Sequence, residues 1–215
     1  MTTILFSTSH DTPTAANTAV ATQVVNGADV SLFGAEATRA ALLAAIVDSP
    51  GAPVILMAHG SPTAVFENDT DEAFGAEDCG LIVGRVLFAW ACNTAKNLGR
   101  EAAAAGAVWM GYDCPITAPE ENEPFLQPFV MLFSRLKAQF RHVGCLGTAG
   151  DFLEDVRQKC AEVEDILDRL LSEYDGDAFG PLCCCRQAWQ QLRIWIPGHE
   201  LPVSHPESVA PYIDI

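Results

Sequence analysis

Val54-Ile55-Leu56-Met57-Ala58-His59-Gly60 and Val86-Leu87-Phe88-Ala89-Trp90-Ala91-Cys92 are the two stretches that decide the fold. Each begins with a run free of polar residues and ends on a side chain capable of chemistry. A strand that is apolar on both faces has to be covered on both, which places it inside a parallel sheet with helices above and below. Outward from these two, Ile4-Leu5-Phe6-Ser7 and Val30-Ser31-Leu32-Phe33 read as earlier strands, and Val108-Trp109-Met110-Gly111-Tyr112 as a later one. Helix-like segments lie between them at 14–25, 36–48 and from Asn93 to Ala105, stopped at Asn26-Gly27, at Ser49-Pro50-Gly51 and at Gly106. Strands alternating with helices predict an α/β domain with right-handed crossovers.

Past residue 125 the pattern becomes helical. A helix is expected over 128–141, with Pro128 in its first turn. Residues 151–172 set Phe152, Val156, Cys160, Val163, Leu167, Leu170 and Leu171 on one face of an amphipathic helix. Residues 182–195 read as another helix, and the tail from Pro197 as extended chain. The expected division is an α/β core over 1–150 and a helical C-terminal extension over 151–215 packed on the same domain. The polar stretch 61–84 carries Glu67, Asp69, Asp71, Glu72, Glu77 and Asp78 with no Lys or Arg before Arg85. It is expected to form a flexible flap beside the site.

Composition limits the function. The 215 residues hold 12 Lys plus Arg against 28 Asp plus Glu, a net charge of -16. That charge argues against nucleic acid and against an anionic membrane surface, both of which need a basic face. No apolar run is long enough for a membrane span. The first residues lack the basic flank and long apolar core of a signal peptide, so a cytoplasmic location is expected, with the eight cysteines mostly reduced. No C-x-x-C pair is present. Cys183, Cys184 and Cys185 are consecutive and point in different directions on a helix, which favours packing over metal binding.

Open parallel sheets carry their active residues at the carboxyl ends of the strands. Here those ends offer Ser9, His10 and Asp11 after the first strand, His59 and Gly60 after the third, Cys92 after the fourth and Asp113 after the fifth. If the third and fourth strands are neighbours, His59 and Cys92 face one crevice, at a spacing of about 4.8 Å between strands. Cysteine with histidine suits acyl transfer, in which the thiolate attacks and the imidazole moves the proton. Cys92 is expected to open a helix, whose dipole would favour the thiolate. The amides of Gly60 and Cys92 are candidate oxyanion donors, and Gly60 has no side chain to block the approach.

Met57-Ala58-His59-Gly60, followed by Phe88-Ala89-Trp90-Ala91-Cys92-Asn93-Thr94-Ala95, resembles the His-Gly and Ala-Cys-x-Thr blocks of CHAT-domain peptidases, caspase-like cysteine proteases of the clan that includes caspases, separase and gingipains. The resemblance covers about residues 50–118 and fades beyond 125. It implies a caspase-like three-layer sandwich, His59 as general base, Cys92 as nucleophile, and Gly60 with Cys92 as the oxyanion hole. It further implies a pocket for the residue before the scissile bond, lined from the ends of the first, fourth and fifth strands. Those ends offer Asp11, Trp90 and Asp113, which would favour Arg or Lys. Trp90 departs from the family, where a small residue stands two positions before the cysteine. Such peptidases usually carry a sensor. None is recognised in these residues, so the resemblance implies activation by a partner protein or by cleavage, in bacterial defence or cell death.

The expected function is therefore a cysteine endopeptidase acting on a protein or peptide substrate, with no cofactor and no metal. One alternative is a catalytically inactive scaffold that binds a partner through its acidic surface and the 151–172 helix. Another starts from His59-Gly60-Ser61-Pro62, which resembles small tetrapyrrole chelatases that hold the incoming metal on the histidine.

Overall fold

The structure, a computed structural model, describes residues 2–173 and 179–209. Six strands form one sheet in the order β2 (Val30–Phe33), β1 (Ile4–Ser7), β3 (Val54–Met57), β6 (Val86–Trp90), β7 (Val108–Tyr112), β8 (Leu192–Trp195). All neighbours are parallel except β7 and β8. Two helices, α1 (Thr12–Val24) and α2 (Arg39–Asp48), connect β1 to β2 and β2 to β3, and α3 (Asn97–Ala104) connects β6 to β7. The later helices are α4 (Leu126–Gln139), α5 (Leu146–Glu173) and α6 (Phe179–Gln190). This is the three-layer α/β sandwich expected from the sequence, with a mostly parallel central sheet flanked by helices. Among the described residues no helix is long and apolar enough to cross a membrane.

Strand side chains alternate between faces, so each all-apolar strand feeds two cores. Ile55, Met57, Phe88, Trp90, Met110 and Tyr112 join residues of α4, α5 and α6 on one face. Val54, Leu56, Leu87, Ala89 and Trp109 join α2 and α3 on the other. The buried guanidinium of Arg85 ties the layers together. It donates to the carbonyls of Ile46, Ser49 and Ala52, satisfying acceptors at the C-terminal end of α2 and in the turn into β3.

Three expectations are corrected. The stretch 61–84 is not a loop. It forms the antiparallel hairpin of β4 (Ala64–Phe66) and β5 (Glu72–Gly75), then a 3₁₀ helix over Ala76–Ile82. Val65 and Phe74 are fully buried in the second core, and the Asp78 carboxylate accepts from Nη1 and Nη2 of Arg39, each at 2.8 Å. The acidic count concealed the apolar residues that anchor the hairpin. Second, 182–195 is not one helix. α6 stops at Gln190, and Leu192–Trp195 becomes an antiparallel edge strand on β7, itself bridged by Val203 of the tail. Third, residues 92–96 are turn, and α3 begins only at Asn97. The boundary expected at residue 150 falls inside α5, and residues 174–178 and 210–215 of the expected extension lie outside the described residues.

Trp90 belongs to the first core. It is 1 % exposed and meets Tyr112 and Phe133 edge-on at centroid distances of 5.1 and 5.0 Å. Trp90→Ala is expected to cost about 3–5 kcal/mol, the usual penalty for emptying an aromatic site in a packed core. Urea unfolding followed by circular dichroism measures it. A loss below about 1 kcal/mol would contradict a packing role.

Candidate active site

Sheet order places a topological switch point between β1 and β3, because the chain leaves β1 toward β2 on one side and later adds β3 on the other. The two connections diverge there and leave a crevice at the carboxyl ends. His10 and Asp11 enter it from β1, and His59 enters it from β3.

Asp11 has two roles. It N-caps α1, accepting from the Thr14 amide at 3.0 Å and from the Thr14 hydroxyl at 2.5 Å. Its other oxygen lies 2.7 Å from His59 Nε2. Burial acts to raise the Asp11 pKa, but hydrogen bonds from the Thr14 hydroxyl and amide and from His59 outweigh it, and the carboxyl falls to about 2. Asp11 is therefore an anion that can only accept. The bond requires a proton on Nε2 and leaves the His59 lone pair on Nδ1. The His10 and His59 rings face each other at 5.2 Å, tilted by 59°. His10 Nε2 lies 3.3 Å from an oxygen of Asp69, at the tip of the β4–β5 hairpin.

β3 and β6 are paired Met57 to Trp90, and the ladder extends through the Ala58 amide to the Trp90 carbonyl at 3.3 Å. Continuing that register sets His59 beside Cys92. Gly60 closes the arrangement. A Cβ on it would lie 2.5 Å from the Cys92 carbonyl oxygen and 2.9 Å from the Ala91 Cβ, so only glycine lets the two strand ends come this close. The next residue, Asn93, takes a left-handed conformation at φ 62°, which bends the chain sharply after the cysteine. Among the described residues, neither the Gly60 nor the Cys92 amide donates to another residue's backbone.

Cys92 is partly exposed, and all eight cysteines are free thiols. Burial pushes the Cys92 thiol up, while the Ile116 amide, 3.3 Å from Sγ, pulls it down less strongly. The expected help from a helix N-terminus is absent, because α3 starts five residues later. The cysteine whose pKa is lowered is Cys145, exposed before α5 and hydrogen-bonded by the amide and hydroxyl of Thr148. Geometry and acidity thus single out different thiols. Geometry is the better guide to a site, since among the described residues no histidine is hydrogen-bonded to Cys145, whose side-chain partner is Thr148. Cys184 and Cys185 are buried in the first core, the packing role expected of that triplet.

The predicted substrate pocket does not assemble. Trp90 is buried, Asp113 is paired with Arg193 of β8 at 3.0 Å, and Asp11 is occupied by Thr14 and His59. The cause lies in β8, whose arrival beside β7 supplies a cation for Asp113. A cavity of about 410 Å³ lies instead on the other side of His10, lined by Ser9, Gly34, Thr38, Glu67 and Asn68. Sequence reading named His10 only as a strand-end residue and missed Asp69 as a site residue. The signal available was the His10-Asp11 pair immediately after an apolar strand.

Asp11 gives a pH prediction. Its folded pKa of about 2 lies below its ordinary 3.8, so the stability it contributes is complete above that ordinary value and disappears as pH falls through about 2. Asparagine keeps the cap but cannot titrate. Any advantage of the native protein over Asp11→Asn is therefore expected to shrink across this window in thermal unfolding. Asp11→Ala should lose about 1 kcal/mol at neutral pH through the cap alone. A difference between native protein and Asp11→Asn that stays constant down to pH 2 would contradict the assignment.

No protein-family model and no curated protein matches the chain.

Proposed function

We propose that the protein is a cysteine peptidase with Cys92 as nucleophile and His59 as its base. The carrying observation is the closure of the Gly60 backbone on the Cys92 carbonyl, which joins the His-Gly end of β3 to the Cys end of β6. The resemblance to the blocks of CHAT-domain peptidases supports the same pairing.

In this reading the Cys92 thiol gives its proton to His59 Nδ1, and the thiolate attacks the peptide carbonyl carbon. The amides of Gly60 and Cys92 receive the negative charge that develops on the carbonyl oxygen. As the C–N bond breaks, the imidazolium gives its proton to the leaving amine, and a thioester remains on Cys92. Water, deprotonated by His59, hydrolyses the thioester to a carboxylic acid and restores the thiol. Asp11 acts on His59 alone, fixing the tautomer and stabilising the charged ring, as the carboxylate of a catalytic triad does.

The resting thiol is held back. The Ile116 amide contacts Sγ, and the following residue is tied to α6, where the Thr117 amide donates to Gln187 Oε1 at 2.7 Å and its hydroxyl reaches Cys183. A partner or a cleavage that loosened α6 would free this segment and expose the sulfur. That fits a peptidase activated on demand.

Cys92→Ala and His59→Ala are each expected to lower peptide hydrolysis at least about a thousandfold with unchanged circular dichroism, because nucleophile and base act as a unit. Full activity in Cys92→Ala would refute the mechanism. Labelling by a peptide electrophile, with Cys92 and Cys145 resolved by peptide mapping, separates a peptidase from a binding scaffold. Gln187→Ala should speed labelling of Cys92 several-fold and leave Cys145 unaffected. An unchanged Cys92 rate would mean that the α6 tether does not restrain the thiol.

A further inference from the structure

Outside the cysteine, the strongest unassigned feature is the group of side chains around His59. One ring nitrogen of His10, one of His59 and a carboxylate oxygen of Asp69 all lie within 4.8 Å of one another. Three separate parts of the chain supply them, namely the end of β1, the end of β3 and the tip of the β4–β5 hairpin. Asp69 is presented by a turn in which Asn68 Oδ1 accepts from the amides of Thr70 and Asp71 at 2.9 Å.

The geometry points to a zinc site formed by His10, His59 and Asp69, which silences the peptidase by taking the lone pair that His59 needs as a base. It rests on the reading of His59 given above. Two imidazoles and one carboxylate match the ligand set of three-protein-ligand zinc sites, in which a fourth position stays open. Calcium and magnesium prefer oxygen throughout, and two nitrogens of three donors disfavour them. Bonds of about 2.0–2.2 Å require donor atoms roughly 3.4 Å apart in a tetrahedron. The donors here, within 4.8 Å of one another, have to draw together by at most about 1.4 Å to close on an ion.

Two further observations fit. Asp11 at His59 Nε2 is the carboxylate behind a metal-binding histidine that fixes its tautomer and raises its basicity. The 410 Å³ cavity next to His10, with Glu67 in its wall, gives a cation a polar entry path. While Nε2 donates to Asp11, the ring has one lone pair, and the metal and the transferred proton compete for it. His10 and Asp69 have no part in the acyl transfer, so they report on the metal alone.

The test uses the full chain and zinc alone as probe, by calorimetry and by competition with a chromogenic chelator, with cobalt as a spectroscopic substitute. The expected result is one zinc per chain, an affinity at least tenfold weaker in each of His10→Ala and Asp69→Asn, and a cobalt spectrum without a thiolate charge-transfer band. Zinc should also inhibit peptide hydrolysis by the native protein at concentrations that leave His10→Ala active. An affinity changed less than tenfold in either variant, a thiolate band, or equal inhibition of native protein and His10→Ala would overturn the site. If the chain hydrolyses no peptide, the affinities and the cobalt spectrum still decide the metal site, and only the peptidase reading fails.

Discussion

The register in which β3 lies against β6 is the constraint on which the carboxyl edge depends. A slip of one residue would turn every side chain of a strand to the opposite face. Here it would send Met57 and Trp90 into different cores and separate His59 from Cys92. Two features hold the register. The strands alternate between two cores, with Trp90 and Phe88 on one side and Ala89 and Leu87 on the other. The backbone contact at Gly60 adds a steric lock, since any side chain there would strike the Cys92 carbonyl. Core packing and site geometry are therefore one problem, solved by the same strand pairing.

Asp11 couples stability to site geometry in a second way. The carboxylate that caps α1 also orients His59, so the helix that covers one face of the sheet starts from the group that aims the candidate base. A capping residue is ordinarily satisfied by backbone amides alone. Sharing it with an imidazole fixes the ring without a dedicated residue, and it also uses up the charge that a basic substrate side chain would have sought. For this reason Asp11, expected to line a pocket for Arg or Lys, is already engaged by Thr14 and His59. Asp113, the other expected carboxylate, is paired with Arg193.

The five parallel strands and the helices between them were legible because each rests on local pattern, and so was the placing of His59 and Cys92 at the ends of adjacent strands. Val54–Met57 and Val86–Trp90 are apolar throughout, and their chemistry-bearing ends follow directly. What was not legible depended on partners distant in sequence. Leu192–Trp195 has no local mark separating it from the helix before it, and it becomes a strand because β7 offers an open edge. The 61–84 stretch looked like a loop because its six carboxylates are spread among its apolar residues with no Lys or Arg to pair them before Arg85. Arg39, far upstream, neutralises Asp78 and lets the hairpin pack. The approach of Asp69 to His10 follows only from that hairpin.

The environment of Cys92 gives the arrangement its logic. A thiol raised by burial, touched by the Ile116 amide and set beyond the reach of any helix dipole is a weak nucleophile at rest. Its neighbour on the next strand is already oriented and has an open lone pair. If the two act as the proposed pair, one partner is thus prepared and the other withheld. Of the elements that cover the sulfur, residues 113–117 adjoin the strand end itself, whereas α6 comes from beyond the stretch that resembles the peptidase blocks. In the proposed mechanism the fold and the dyad both depend on the strand register, whereas control would come from the segments that β7 and α6 place over the sulfur. On that proposal, changing the sulfur's cover would alter the reactivity of the thiol without disturbing the close approach of Gly60 to the Cys92 carbonyl.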